Sequence, residues 1–488
     1  MMQQVKEFPA VKEQRGLRSR RTRLLLLLAA GAVLRILLIW FPRTFDDDTN
    51  TYIELGTNLL RHGVYGIRDG GVIVPSLIRL PGYPLFLGLF GGHFHLALLA
   101  QAAIDLLGCW LLCLFATRHI SERAGEIVFA LSMLCIFTAA YAATGLAESL
   151  SIFAVSWGIF SFGEFQRREE HGGSSPGFSA LLKRVAPLAA ATALALLLRG
   201  DGVLLFAAIL IGMAWYGREP RRQKVITACL FAVLSLSPLV PWTVRNWRTF
   251  HVVEPLAPAL GNNPGERVDV GFIRWFRTWA VEFSSTGNVY WNMDSDVIDI
   301  GDLPSRAFDS AAQYAQTDEL LDAYNEHQKV TPELDAKFGQ LAEERIAAHP
   351  VRYHVWLPVL RVADMWLRPR TETFNLDVFW WWWWIHPWQS AAGAALGLLN
   401  LAYLVTALMG VAMRRAPYLV LLGSYVAMRC VLLATIANPE PRYTLEAYPI
   451  VILCAGLAVQ AYAPSHPSTQ KPRVQGTPVS APFLRSRL

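Results

Sequence analysis

Acidic side chains stand at the ends of two apolar stretches of this 488-residue chain. Asp46, Asp47 and Asp48 follow the first stretch, and Glu148 begins a later one. A carboxylate in such a place can act as a general base towards a hydroxyl group. The alternative for Asp46 and Asp47 is a solvated acidic loop, and for Glu148 an acid favoured by the dipole at a helix N-terminus. Asp48 is our first candidate for a base and Glu148 the second.

Three arginines, Arg199, Arg245 and Arg442, come from distant parts of the chain, and each stands at or near the end of an apolar stretch. The planar guanidinium offers paired donors and stays charged, which suits a phosphate group. A single arginine at a helix end usually reaches to lipid headgroups instead. Because the order of the spans places all three on one side of the membrane, we predict a lipid-phosphate site.

The composition indicates the class of protein to which these residues belong. The chain is 53% hydrophobic and only 17% charged, whereas soluble domains average about 45–50% apolar and about 25% charged residues. This favours an all-α, polytopic membrane protein with the lipid bilayer as a partner. The net charge of +6 does not indicate nucleic-acid binding, because the basic residues concentrate at the N-terminus, in short loops and in the tail.

The first apolar stretch, Leu24–Phe41, fixes the orientation. About 20 residues suffice to cross a bilayer, and the arginines before this stretch keep the N-terminus in the cytoplasm. Asp48 then emerges on the opposite side. The stretch is too long for a signal-peptide core, so we predict an uncleaved anchor. Arg35 interrupts it, and we interpret this arginine as a structural counter-ion for one of the acids.

The later apolar stretches alternate with basic loops as the positive-inside rule requires. They predict about ten transmembrane helices in a multi-pass protein of the inner (plasma) membrane, with both termini cytoplasmic. The predicted spans are Leu24–Phe41, Leu96–Thr117, Ile127–Tyr141, Ala147–Phe165, Val185–Leu198, Val203–Tyr216, Val225–Val244, Gln389–Met413, Tyr418–Ile436 and Ala447–Ala463.

Several stretches are predicted to lie at the outer surface. Thr49–His62 has apolar residues at helical spacing, which predicts an amphipathic helix, and a glycine-rich loop follows it. Pro350–Arg368 reads as an interfacial helix rather than a span. The run Trp380–Trp384 fits the aromatic belt at the membrane interface, with a carbohydrate-stacking platform as the alternative.

These features divide the chain into five regions. We expect a cytoplasmic basic tail, an N-terminal transmembrane catalytic module with an outer loop at 42–95, a mostly helical extracytoplasmic segment, C-terminal transmembrane helices and a disordered tail. Their respective bounds are 1–22, 23–244, 245–386, 387–463 and 464–488.

Other kinds of site find little support in the sequence. All six cysteines fall in apolar stretches, so no disulfide framework is implied. No Gly-rich phosphate loop, nucleophile elbow or zinc-type cluster occurs. The cofactor is therefore unknown. A divalent cation held by Asp46, Asp47 and Glu148 is conceivable, but the spacing does not require one.

The order of several motifs resembles the membrane glycosyltransferases with the GT-C fold, in particular the bacterial relatives of protein O-mannosyltransferases and aminoarabinose transferases. Asp48 stands four residues before Tyr52, and Arg79-Leu80-Pro81-Gly82-Tyr83-Pro84 follows. The surroundings of Glu148, the stretch Pro241–Trp247 and the string Glu440-Pro441-Arg442-Tyr443 are similar to later landmarks of that family. The resemblance runs from about Arg23 to Ala463 and is loose in the outer segment.

The resemblance implies transfer of a sugar from a polyprenyl-phosphate donor to a hydroxyl acceptor on the extracytoplasmic face. Asp48 would be the base, and Glu148 matches the second acidic position. The family often has an acid directly after the first aspartate, where this chain has Thr49, so the choice among Asp46, Asp47 and Asp48 stays open. The substrate-binding candidates are Tyr52, Arg79, Tyr83 and Tyr443.

Other functions remain open at this point. A transporter or flippase of polyprenyl-linked sugars would use the same arginines, although we find no internal repeat of the kind common in transporters. An oligosaccharide polymerase or ligase would differ mainly in taking a lipid-diphosphate donor. A membrane scaffold would give no reason for the acids to collect outside.

Overall fold

The structure is a computed structural model, and it describes residues 9–41, 47–171, 177–377, 379–413 and 416–462. Asp46, the start of the predicted basic tail and the predicted disordered tail 464–488 lie outside the described residues. The five domain bounds stay a prediction.

Helices dominate the described part of the chain. The N-terminal half contains α1 (Pro9–Ile39), α2 (Asp47–His62), β1 (Gly66–Asp69), β2 (Val72–Pro75), α3 (Gly82–Gly88), α4 (Phe94–His119), α5 (Glu122–Met133), α6 (Ile136–Ala142), α7 (Glu148–His171), α8 (Phe178–Leu198), α9 (Val203–Tyr216), α10 (Arg221–Leu236) and α11 (Leu239–Phe250). The C-terminal half contains α12 (Val270–Phe276), α13 (Phe283–Ser285), α14 (Ala311–Asn325), α15 (Pro332–Ala348), α16 (Leu357–Leu367), α17 (Pro387–Ala412), α18 (Leu419–Thr435) and α19 (Tyr448–Tyr462).

Among the described residues, five helices are long and apolar enough to cross a membrane, or seven if two bent pairs each form one span. Two more apolar stretches, Gly200–Tyr216 and Leu419–Thr435, are shorter. The chain is thus an integral membrane protein built of helices, as predicted, while the count of ten spans stays a prediction. Pro441–Ala461 is the most enclosed of the five, whereas most residues of the apolar windows in Ser19–Ile39 and Pro387–Ala412 are not buried inside the protein.

The predicted span Ile127–Tyr141 is broken, because α5 and α6 meet at 56°. The break is stabilised by Arg35, which donates to the carbonyl oxygen of Met133 at 2.9 Å. Backbone groups freed at membrane depth need such partners. Arg35 also forms a fully buried ion pair with Asp105 at 2.5 Å. Arg35 is therefore a structural counter-ion, as predicted, but its partner is Asp105 rather than Asp48 or Glu148.

The predicted amphipathic helix is present as α2, and a β-hairpin follows where the glycines predicted only a loop. Strands β1 and β2 pair antiparallel, with Asp69 opposite Val72. Gly70 and Gly71 form the turn at φ +53° and +88°. Two successive residues with positive φ are typical of the tight turn that suits the strand twist. The hairpin carries the chain back towards the short helix α3.

The segment between α11 and α17, which is predicted to be extracytoplasmic, has a hydrophobic core of its own. It contains α14 and α15, each begun by a side-chain cap, from Ser310 and Thr331 respectively. Helix α16 lies within the predicted interfacial stretch Pro350–Arg368. In the tryptophan run Trp384 is 95% exposed. That exposure suits the predicted aromatic belt and leaves the stacking platform open.

Candidate active site

Asp48 lies in the first turn of α2, and two arginines hold its carboxylate. Its Oδ1 accepts from Nη2 of Arg79 at 2.5 Å, and its Oδ2 accepts from Nη2 of Arg442 at 3.3 Å. The next residue, Thr49, donates to the carbonyl oxygen of Gly145 at 3.1 Å, which ties α2 to the loop before α7. The Asp48 side chain is 21% exposed and Arg79 is 32% exposed. This pair therefore stands at the rim of the site.

The charge of Asp48 is set by these contacts. Burial alone raises the pKa of its carboxyl, but the positive charges and hydrogen bonds of Arg79 and Arg442 outweigh burial. The pKa of Asp48 consequently lies below its usual value. Asp48 is ionised near neutral pH, yet it is a weakened base as long as both arginines remain bound.

Glu148 begins α7, and its side chain is only 2% exposed. Its Oε1 accepts from Nη1 of Arg199 at 2.7 Å and lies 3.9 Å from Nε of Arg442. The same Arg442 guanidinium thus touches both acids that the sequence singles out as candidates for catalysis. Two of the three predicted phosphate-binding arginines, Arg199 and Arg442, belong to one network with those acids.

Glu440 extends the network beyond Arg442. Its Oε2 contacts Nε of Arg442 at 2.6 Å, and its Oε1 accepts from the Tyr443 hydroxyl at 2.7 Å. Burial raises the pKa of the Glu440 carboxyl, although Arg442 and the Tyr443 hydrogen bond act against this rise. Arg442 is therefore shared among three carboxylates.

A second layer lies behind Arg199. Arg199 contacts Asp201 at 3.3 Å and Glu446 at 3.2 Å through its Nε. Arg429 contacts both of those acids from the other side. Asp201, Glu440, Glu446 and Arg429 were not among the site residues predicted from the sequence. Arg429 had a usable signal, since it is a charged residue within the predicted span Tyr418–Ile436.

The predicted substrate-binding aromatics fall into two groups. The Tyr443 ring lies beside the guanidinium carbons of Arg199 and Arg442, at 5.7 and 5.5 Å. Tyr52 packs edge-on against Tyr83 at 5.0 Å. These contacts bring Tyr443 into the network and leave Tyr52 and Tyr83 packed against each other beside it.

Gln101 anchors this part of the structure from α4. Its Oε1 accepts from the hydroxyl of the fully buried Tyr83, and its Nε2 donates to carbonyl oxygens of Tyr141, Ala142 and Thr144. These carbonyls lie at the C-terminal end of α6 and directly after it, shortly before Glu148. Gln101 therefore links the end of the broken span to the α3 motif through the Tyr83 hydroxyl. The predicted role of Tyr83 in substrate binding stays a prediction.

Arg245 does not join the network among the described residues. Its guanidinium donates to the carbonyl oxygens of Ser76 at 2.8 Å and Tyr65 at 2.6 Å. The rings of Tyr65, Trp242 and Phe250 surround it at 5.2 to 5.5 Å. These contacts attach the hairpin to α11. Its predicted role in phosphate binding stays a prediction.

The described residues contain no group of three or more histidine, cysteine, aspartate or glutamate side chains arranged to hold a metal ion. Asp46 lies outside the described residues. The conceivable cation site with Asp46, Asp47 and Glu148 therefore stays a prediction.

Comparison with solved structures identifies the fold. The apo oligosaccharyltransferase of Archaeoglobus fulgidus matches with a TM-score of 0.50 and 14% identity, over 91% of this chain and 50% of that chain. The same archaeon's AglB, in complex with an inhibitory peptide and a dolichol-phosphate, matches over 90% of this chain and 50% of that chain, with 12% identity and a TM-score of 0.46. ArnT from Cupriavidus metallidurans bound to undecaprenyl phosphate matches over 89% of this chain and 77% of that chain, with 16% identity and a TM-score of 0.38.

No family model matches the sequence, and no curated protein matches it. The chain spans about half the length of the archaeal oligosaccharyltransferase. At this level of identity the match establishes the fold alone. The predicted GT-C fold is confirmed.

Proposed function

We propose that this protein transfers a sugar from a polyprenyl-phosphate donor to a hydroxyl acceptor at the extracytoplasmic face of the inner membrane. The observation that carries the proposal is the position of Asp48. Its carboxylate stands at the rim of a buried ion network and is bound by Arg79 and Arg442. A base beside arginines is the arrangement that such a reaction needs.

The reaction requires a base for the acceptor hydroxyl and positive charge for the leaving phosphate. Asp48 takes the proton of the acceptor hydroxyl, and the hydroxyl oxygen bonds to the anomeric carbon of the donor sugar. The bond from that carbon to the phosphate oxygen breaks, and the electron pair stays on the lipid phosphate. A phosphate is stable as an anion, so positive charge helps it leave more than an acid would. One such displacement inverts the anomeric configuration.

The arginines of the network supply that charge. Arg442 and Arg199 both contact Glu148, and Arg79 is the most exposed arginine of the network. A donor phosphate that binds Arg79 and Arg442 competes with Asp48 for the same N–H groups. Its arrival therefore releases Asp48, and the pKa of the carboxyl rises towards its usual value as the two arginines turn to the phosphate.

The orientation follows from the charges of the loops. Arginines in the N-terminal half of α1 contact acids in the first turns of α5, since Arg20 pairs with Glu122 and Arg23 with Glu126. This end of the protein carries the basic residues that favour the cytoplasm. The network lies at the other end of α1, beyond Phe41. Both termini are then cytoplasmic, and the active site faces outwards.

The test is an assay for product. Purified protein is incubated with polyprenyl-phosphate sugars and a membrane extract, and labelled products are analysed by mass. A product that depends on Asp48 and has inverted configuration supports the proposal. Retained configuration excludes the single displacement. Movement of lipid-linked sugar across vesicles without any transfer product would instead favour the transporter.

A further inference from the structure

Arg429 lies within the apolar helix α18, and its side chain is only 1% exposed. A charged side chain inside a membrane helix is costly unless it is paired, so it usually has a function. Its Nη2 donates to Oδ2 of Asp201 at 2.9 Å and to Oε2 of Glu446, and its Nε donates to the carbonyl oxygen of Tyr443 at 2.7 Å.

The two acids that bind Arg429 are the ones that bind Arg199. Oδ1 of Asp201 lies 3.3 Å from Nε of Arg199, and Oε1 of Glu446 lies 3.2 Å from it. Glu446 thus gives one oxygen to each arginine, while Asp201 shares its two oxygens with Nε of Arg199 and gives Oδ2 to Arg429 as well. Arg199, Asp201, Arg429 and Glu446 form a closed ring of alternating charge, and Nη1 of Arg199 points out of this ring to Glu148.

We infer that Arg429 is a positioning residue that keeps Arg199 available for the donor phosphate. This inference rests on the proposed function. Two acids in the ring face two arginines, so their charges balance. Without Arg429, Asp201 and Glu446 would be left with Arg199 alone, and a phosphate would compete for Arg199 with two uncompensated carboxylates in a buried place. The removal of a single partner from a buried ion pair is the costly change.

The ring therefore predicts a rescue. Replacing Arg429 with Met should weaken the binding of a lipid phosphate. Replacing Glu446 with Gln in the same protein removes one negative charge as well, so that one arginine faces one acid again. The double variant should recover the lost affinity, whereas a role of Arg429 in packing or in binding the Tyr443 carbonyl would not be rescued in this way.

The experiment measures equilibrium binding of undecaprenyl phosphate to the full chain in phosphatidylcholine nanodiscs, with undecaprenol as the uncharged reference. We expect R429M to weaken binding of the phosphate by about tenfold, equivalent to about 1.4 kcal/mol, and R429M/E446Q to return to within about threefold of the wild type. Binding of undecaprenol should not change.

The outcomes separate the two proposals. A wild-type protein that binds both lipids equally contradicts the proposed function. A wild type that prefers the phosphate, together with an R429M variant of equal affinity, overturns only the role of Arg429. Loss in R429M without recovery in the double variant overturns it too. If R429M cannot be purified in folded form, the double variant decides: near-wild-type affinity supports the inference, and weak binding rejects it.

Discussion

Arg442 binds Asp48 through Nη2 although 394 positions separate the two residues. Arg442 belongs to the 3₁₀ turn Pro441–Ala447 that leads into α19, and Asp48 opens α2. Because the stretch Pro441–Ala461 is the most enclosed of the long apolar helices, its N-terminal end, which bears Arg442, is a rigid part of the site. Helix α2 is held against this end by the contact between Asp48 and Arg442.

Replacing Asp48 with Asn should lower kcat by about 10²- to 10⁴-fold, the usual contribution of a general base. Asn keeps the shape of the side chain, and its one carbonyl oxygen can still accept a hydrogen bond from one of the two arginines, so the variant should insert and fold. The control is Asp69→Asn, the same chemical change at an exposed position of the hairpin. Undiminished turnover in D48N would remove Asp48 as the base.

Replacing Arg79 with Met should shift the pH dependence of activity. Arg79 is the charged neighbour that lowers the pKa of Asp48 most strongly, so without it that pKa rises. The acidic limb of kcat/KM against pH should then move to higher pH. Arg68→Met, in the exposed strand β1, is the matched control and should leave the limb in place. A limb that moves to lower pH in R79M would contradict this account.

The same contacts make stability depend on pH. Asp48 has a folded pKa below its unfolded value, which is about 3.9. Its ion pairs therefore contribute stability above that value, and this stability is lost as the pH falls through the lower folded pKa. Melting temperatures between neutral and acidic pH should fall less steeply in D48N than in the wild type. Parallel curves would mean that the two arginines do not stabilise the ionised carboxylate.

Arg35 and Arg23 provide a comparison of buried and exposed ion pairs on one helix. Arg35→Met leaves Asp105 buried without its cation, which should cost about 3–5 kcal/mol. Arg23→Met breaks the pair with Glu126, where Arg23 is 54% exposed, and should cost at most about 1 kcal/mol. Melting temperatures in one detergent measure both. Similar shifts for the two variants would contradict the structural role of Arg35.

The sequence was informative where a residue's type and its place in the chain are enough to predict a helix or a candidate site residue. Helix α2 follows from its apolar spacing, and Asp48, Glu148, Arg199 and Arg442 follow from their places at span ends. The choice of partner does not follow from these patterns. Arg245 and Arg442 look alike in the sequence, yet Arg245 binds backbone carbonyls of the hairpin and Arg442 binds carboxylates. Long-range packing of the helices decides this.

The missed features have local causes. The pair Gly70-Gly71 was a hairpin signal, but the strands around it are only four residues long. Asp201 sits in the turn after Arg199 and reads as a loop residue. Glu446 and Arg429 form their ring only because α18 and the turn Pro441–Ala447 lie beside the turn that bears Asp201, and no sequence period encodes that contact.

The close packing of α2 on α3 should make Gly56 indispensable for the site. A methyl group at Gly56 would come within 1.9 Å of the carbonyl oxygen of Pro84, and backbone cannot yield as a flexible side chain can. Gly56→Ala should therefore push α3 away and displace Arg79, which stands just before α3, from Asp48. We expect a lower melting temperature together with loss of activity. Gly423→Ala in α18 is the matched control, since nothing lies within 4 Å of a methyl group there, and alanine favours a helix over glycine by about 1 kcal/mol. A G56A protein as active and stable as G423A would show that α2 and α3 do not pack as closely as the structure has them.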